Sequence, residues 1–81
     1  MGKELPLWCM YAQSQLLMRK MTVKDLAEQV GFTRQYVSEI IHGRRRATPA
    51  EKAINDALNI PDDPKAIQKW YDDWYKSQFS N

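Results

Sequence analysis

Eighty-one residues with a formal net charge of +2 make one small domain, residues 1–81, near the lower size limit for folding without covalent staples. The single Cys9 excludes an internal disulfide framework and fits a reducing, cytoplasmic setting, and with one histidine there is no Cys/His cluster to hold a metal. No run approaches the roughly eighteen apolar residues of a membrane span and no signal-peptide pattern opens the chain, so no membrane association is expected.

Residues 5–20, LPLWCMYAQSQLLMRK, read as a first helix with Pro6 in its first turn. Trp8, Ala12 and Leu16 recur at helical spacing as its core stripe, with Leu5, Leu17 and Met21 beside them, while Arg19 and Lys20 suit the negative end of the helix dipole.

Residues 22–43, TVKDLAEQVGFTRQYVSEIIHG, read as two short helices around a tight turn. Thr22 with Asp25 three residues on forms a helix start, and Leu26, Ala27 and Val30 supply the apolar face. Gly31 can take the left-handed conformation that stops this helix, with Phe32 folding back onto its last turn. Thr33 caps the second helix, which buries Val37, Ile40 and Ile41 and closes at Gly43. Ala27 is small enough to let the two helices cross closely. Helix, glycine-centred turn and helix is the pattern of a helix-turn-helix.

After the loop 44–48, RRRAT, Thr48 is expected to cap a fourth helix, with Pro49 at its first position and Glu51 completing a capping box. Ile54, Ala57 and Leu58 form its buried face; Asn59 ends it, Ile60 tucks in and Pro61 blocks continuation. Asp62-Asp63-Pro64 starts a last helix running to about Gln78. Ile67, Trp70, Tyr71 and Trp74 lie on one face, flanked by Ala66 and Tyr75, and the pairs Lys69–Asp73 and Asp72–Lys76 lie on the other. No segment alternates with the period of a strand. The predicted fold is all-α, a compact bundle of about five helices with the helix-turn-helix at its centre.

The stretch DLAEQVGFTRQYVSEIIHGRR resembles the helix-turn-helix of the phage repressor and Cro family, also called the XRE family. Leu26-Ala27, Gly31, Thr33, Val37, Ile40-Ile41 and His42-Gly43 followed by basic residues carry the likeness. ATPAEKAINDALNIP is similar to the helix that follows in the family, so the resemblance spans about residues 12–61. Val23 stands where the family often has a phosphate-touching Gln, and Asn59 where it often has Gly, although Asn tolerates the left-handed conformation.

At 100° per residue, Gln35, Ser38, Glu39 and His42 point away from the buried set of the second motif helix, flanked by Arg34 and Tyr36. The resemblance implies that Arg34, Gln35, Ser38 and Glu39 enter the DNA major groove. The residue types fit: Arg grips guanine, Gln pairs with adenine, Glu accepts from cytosine. An ion pair from Glu39 to Arg34 or Arg45 is the alternative for that carboxylate. Phosphates are expected at Lys24, Thr33, Tyr36, His42 and Arg44, Arg45 and Arg46. Charge agrees with a phosphate-facing middle: Arg19 to Lys52 carries eight basic and four acidic residues, Ala53 to Asn81 three and five.

The expected function is sequence-specific binding of double-stranded DNA by a small transcription regulator. The competing reading is a helix-turn-helix module that binds another regulatory protein, as an anti-repressor or antitoxin would. The aromatic tail, Trp70, Tyr71, Trp74 and Tyr75, is expected either to complete the core against Trp8 and the first helix or to join two copies on a palindromic operator. RNA binding is weaker, because the aromatics fall at core spacing rather than on an exposed platform. One His and one Cys on different helices give no nucleophile pair, and no Gly-rich loop follows a strand. Neither catalysis, a cofactor nor a small-molecule ligand is expected.

Overall fold

A computed structural model describes residues 6–79, and these are all-helical, without strands. Five helices follow one another: α1 (Leu7–Met18), α2 (Val23–Val30), α3 (Arg34–Ile41), α4 (Thr48–Leu58) and α5 (Pro64–Phe79). The core lies where α1 to α4 meet. Leu26 of α2, Val37, Ile40 and Ile41 of α3, and Ile54 and Leu58 of α4 are its largest fully buried side chains. Ala12 and Ala27, both buried, let α1 and α2 approach their neighbours closely, and Ile60 and Ile67 close the core from below α4 and from α5.

The turn between α2 and α3 forms as its residues dictate. The Thr22 hydroxyl accepts from the Asp25 amide at 3.1 Å, and the Asp25 carboxylate accepts from the Thr22 amide at 3.0 Å. These bonds hold the Asp25 carboxyl below the usual carboxylate range, the Thr22 amide contributing most. Gly31, at φ +82° and ψ 25°, stops α2, with the Gly31 and Phe32 amides both donating to Ala27 O. The Phe32 ring lies against Tyr36 of α3, centroids 5.3 Å apart. Thr33 then caps α3 by accepting from the Tyr36 amide.

Helix ends differ from expectation at several points. Pro6 is the N-cap of α1, not part of its first turn, and Leu5 lies outside the described residues. Helix α1 ends at Met18, because Lys20 turns left-handed at φ 57°. Arg19 caps α1 and bonds back to Gln15 Oε1 at 3.3 Å, and its guanidinium also reaches the end of α4, donating to Ala57 O and Leu58 O. Leu17 is 79% exposed, since the buried stripe of α1 runs through Cys9, Ala12 and Leu16, roughly a quarter of a turn or more away. Helix α3 ends at Ile41 with His42 as its cap, and α5 runs one residue past Gln78.

Ala47, not Thr48, is the N-cap of α4, because its carbonyl already accepts from the Glu51 amide. The expected capping box is halved: Glu51 Oε2 accepts from the Ala47 amide, and no side chain bonds back from the cap. Asn59 takes the left-handed conformation at φ 55° as the resemblance requires. On α5, Lys69 pairs with Asp73 at 3.0 Å, whereas Asp72 accepts from Gln68 rather than from Lys76.

Candidate nucleic-acid interface

Helix α3 is short, and an isolated helix of its length would not persist in water. It is held by its buried side, Val37, Ile40 and Ile41, and by side chains of α1 at its C-terminal end. Gln13 Nε2 donates to Ile41 O at 2.9 Å, and the Cys9 thiol donates to Ile40 O at 3.6 Å. Both carbonyls belong to the last turn, where helical acceptors lack intrahelical donors. Burial pushes the Cys9 thiol pKa up, so this cysteine stays protonated and acts as a donor. Gln13 had no signal in the sequence, because its partner is 28 residues away.

The outward side of α3 divides into two edges. Along one, Arg34 and Ser38 share an open depression of about 390 Å³ with Thr22, Val23 and Lys24, so the start of α2 and an outward row of α3 border one concavity. His42 Nδ1 lies 2.7 Å from Ser38 O, which as a carbonyl accepts the Nδ1 proton and turns Nε2 outward. The Thr33 hydroxyl, engaged as an acceptor at the cap, keeps its own proton for a further partner.

Along the other edge lie Gln35, Glu39 and Tyr36, and here the loop arginine Arg45 returns onto the helix. Arg45 Nε donates to Glu39 Oε1 at 2.7 Å, and its guanidinium carbon sits 5.3 Å from the Tyr36 ring centre. The hydrogen bond from Arg45 is the main cause holding the Glu39 carboxyl below its usual range, and the same bond raises Arg45. Of the two ion-pair partners weighed for Glu39, Arg45 takes the place and Arg34 does not.

The three arginines of the loop separate. Arg44 is exposed, with its backbone amide on Glu39 O at 2.8 Å. Arg46 turns to α4, Nε donating to Glu51 at 3.2 Å, and borders a cleft with Trp8, Asn55 and Asp62. Trp8 is committed there, its indole N–H donating to Asn55 Oδ1.

The aromatic tail divides too. Trp70 packs on Tyr11 of α1, centroids 4.8 Å apart, so the partner on α1 is Tyr11 rather than Trp8. Tyr71 is half-buried against Trp74 and Tyr75, which are 45% and 49% exposed. Beside them runs an almost wholly apolar groove of about 340 Å³ lined by Met10, Ser14, Leu17, Met18, Trp70 and Trp74. The signal for its α1 wall was present in the sequence: LWCMYAQSQLLM carries apolar residues on every face, as a helix covered on more than one side does.

Among the described residues, no group of three or more His, Cys, Asp or Glu could hold a metal, and no helix is long and apolar enough to cross a membrane. No curated protein and no solved structure matches the chain. A family model described as a helix-turn-helix matches residues 13–63, which span the core motif and α4, and the chain accordingly belongs to the XRE-type helix-turn-helix family of DNA-binding regulators.

Proposed function

We propose that the chain binds double-stranded DNA sequence-specifically, with α3 in the major groove, as a small transcription regulator. The observation that carries this is the shared concavity of Lys24, Arg34 and Ser38, which sets a basic helix start beside an outward polar row. In that arrangement Arg34, Gln35 and Ser38 reach base edges, with Glu39 beside them. Lys24, Thr33, Tyr36, His42, Arg44 and Arg46 meet phosphates on either side.

Selection of bound duplexes from a random pool tests the reading. Gln35→Ala should relax preference at one base position by about 1–3 kcal/mol, and Arg44→Ala should weaken all duplexes alike while shallowing the salt dependence by about one phosphate. A protein retained on no duplex at low salt would leave the competing reading, a module that binds another regulator.

The apolar groove supports a second copy of this chain as partner. Trp74 and Tyr75, each about half exposed, present on the order of 100 Å² apiece, and Leu17 and Met18 a similar amount each. That sum, about 400 Å², approaches the roughly 500 Å² of apolar area on one side of a standard dimer interface. The family match ends at residue 63, just before α5 begins at Pro64, so the α5 wall of this surface lies beyond the matched residues while Leu17 and Met18 lie within them. Leu17→Glu with Trp74→Glu should sediment as a monomer and bind half-sites only. A parent protein that is monomeric at tens of micromolar would rule the pairing out.

A further inference from the structure

Arg45 belongs to the loop, yet its head group lies on the recognition helix. The buried residues Val37, Ile40 and Ile41 fix which way α3 faces. At 100° per residue the direction opposite them passes between Gln35 and Glu39. Glu39 therefore sits near the middle of the outward face, a place where a bare carboxylate would repel the phosphates on both sides of a groove. It is not bare. Arg45 reaches back six residues to donate from Nε to Glu39 Oε1 at 2.7 Å. The guanidinium lies over the Tyr36 ring, 5.3 Å from its centre, and Phe32 backs that ring at the same centroid separation.

Two side chains, Glu39 and Tyr36, thus hold one arginine that is itself 53% exposed, with Phe32 behind the ring. Stability does not account for this, because an exposed ion pair contributes little once the entropy of holding two long side chains is counted. Recognition does account for it. A planar guanidinium held over the ring and tethered through Nε leaves Nη1 and Nη2 for a further partner, the two-donor fork that matches guanine O6 and N7. Ordering it before binding removes part of the entropy cost of association. Arg46, in the same loop, turns instead to Glu51 of α4.

We infer that Arg45 reads a guanine from the edge of the recognition helix, with Glu39 and Tyr36 as positioning residues, so that Glu39 orients an arginine instead of accepting from cytosine. This rests on the DNA-binding reading above. It also takes Arg45 out of the set of phosphate contacts.

The experiment compares the parent, Arg45→Lys, Glu39→Gln and Arg46→Lys in selection from a random duplex pool, with the salt dependence of each and a thermal melt as folding control. Lysine keeps the charge but loses the flat fork. Arg45→Lys should lose about tenfold or more of the preference at one G·C position with its salt slope unchanged. Glu39→Gln should lose preference at that same position while holding or gaining affinity for random duplex. Arg46→Lys should leave every preference as in the parent. Placing 7-deazaguanine at the position, which removes the N7 acceptor, should bring the parent down to the level of Arg45→Lys and leave Arg45→Lys itself unmoved. If Arg45→Lys kept every base preference, or if Glu39→Gln alone erased one, the inference would be overturned and Glu39 would be the direct reader. A parent that bound duplexes with no base preference would overturn it while leaving DNA binding standing. A parent that bound no duplex would remove the functional reading beneath it.

Discussion

Gly31 is the sharpest place to perturb the helix-turn-helix, because its conformation and its surroundings make opposite demands. Its φ of +82° is a region L-residues avoid, and the Gly31 and Phe32 amides depend on it to reach Ala27 O at 2.9 and 3.1 Å. Yet nothing lies within 4 Å of where a Cβ would stand. A side chain here meets no steric clash, and the loss is conformational alone. That cost is about 1–2 kcal/mol for alanine, smaller for asparagine, and larger for a β-branched residue. In a domain of this size 1 kcal/mol moves Tm by about 4–8 °C. Gly31→Ala should therefore melt roughly 4–16 °C below the parent, with Gly31→Asn above it and Gly31→Val lowest. A β-branched residue resists positive φ, and with open space around the turn Gly31→Val should still fold but melt early. Circular-dichroism melts and urea titrations measure both, and the urea m-value should not change, since no surface is rearranged. Below its melt the alanine variant should bind duplex as the parent does. An alanine variant melting within a degree of the parent would refute the left-handed turn. A loss well beyond about 4 kcal/mol would refute the open surroundings.

Arg19→Ala removes two donors from the carbonyls of Ala57 and Leu58, and should lower stability by about 1–2 kcal/mol in urea titration; an unchanged midpoint would mean α4 needs no cap from α1. The Asp25 carboxyl is held below the ordinary range near pH 4, so its stabilisation is complete above that range and is lost as pH falls through the lower folded value. Asp25→Asn should flatten that part of the acid limb of stability, read as urea midpoints between about pH 2 and 5. Truncation after Ile60 removes Ile67 from the core and Trp70 from Tyr11, and should abolish cooperative melting even in dilute protein. A truncated chain that stayed folded, dimeric and fully able to bind DNA would contradict both roles given to α5.

What the sequence made legible was what is settled within four residues. The Thr22–Asp25 box, the Gly31 stop, the Thr33 cap and the Asn59 turn each depend on neighbours in the chain, and each forms. The family match over residues 13–63 lies close to the resemblance read over 12–61. Thr48 shows the limit even locally. It precedes a proline, which disfavours helical geometry for the residue before it, so a cap was the natural reading; the chain nonetheless starts α4 one residue earlier. Arg19 and Gln13 were out of reach for a different reason. A cation near a helix end could serve that helix or another, and only the packing of α1 on α4 brings Arg19 to the carbonyls of the second as well. Within RRR the sequence offered Arg45 as one of two partners for Glu39, and only the placing of Tyr36 and Glu51 on either side of the loop settles that choice and sends Arg46 to α4.

That separation of the arginines bears on how the protein would hold DNA. Three adjacent cations read as three phosphate contacts, but two of them already have carboxylates. Glu51 has a second task, accepting from the Ala47 amide at the start of α4 at 3.0 Å. Arg46, whose side chain is 80% exposed, can therefore swing to a phosphate and leave Glu51 still bonded. Its exchange trades one exposed ion pair for another and changes little. Glu39 has no comparable backbone duty, and releasing Arg45 from it would leave an acid facing the groove. The cheaper arrangement on the proposed reading keeps that pair intact through binding and lets it act as a unit. The arginine run then contributes fewer phosphate contacts than its length implies, Arg44 directly and Arg46 by exchange. The salt dependence of binding, which counts neutralised phosphates, should be correspondingly shallow. Affinity that does not come from the phosphates must come from the face of α3, and on that face Arg45 is held both by its ion pair to Glu39 and by the Tyr36 ring.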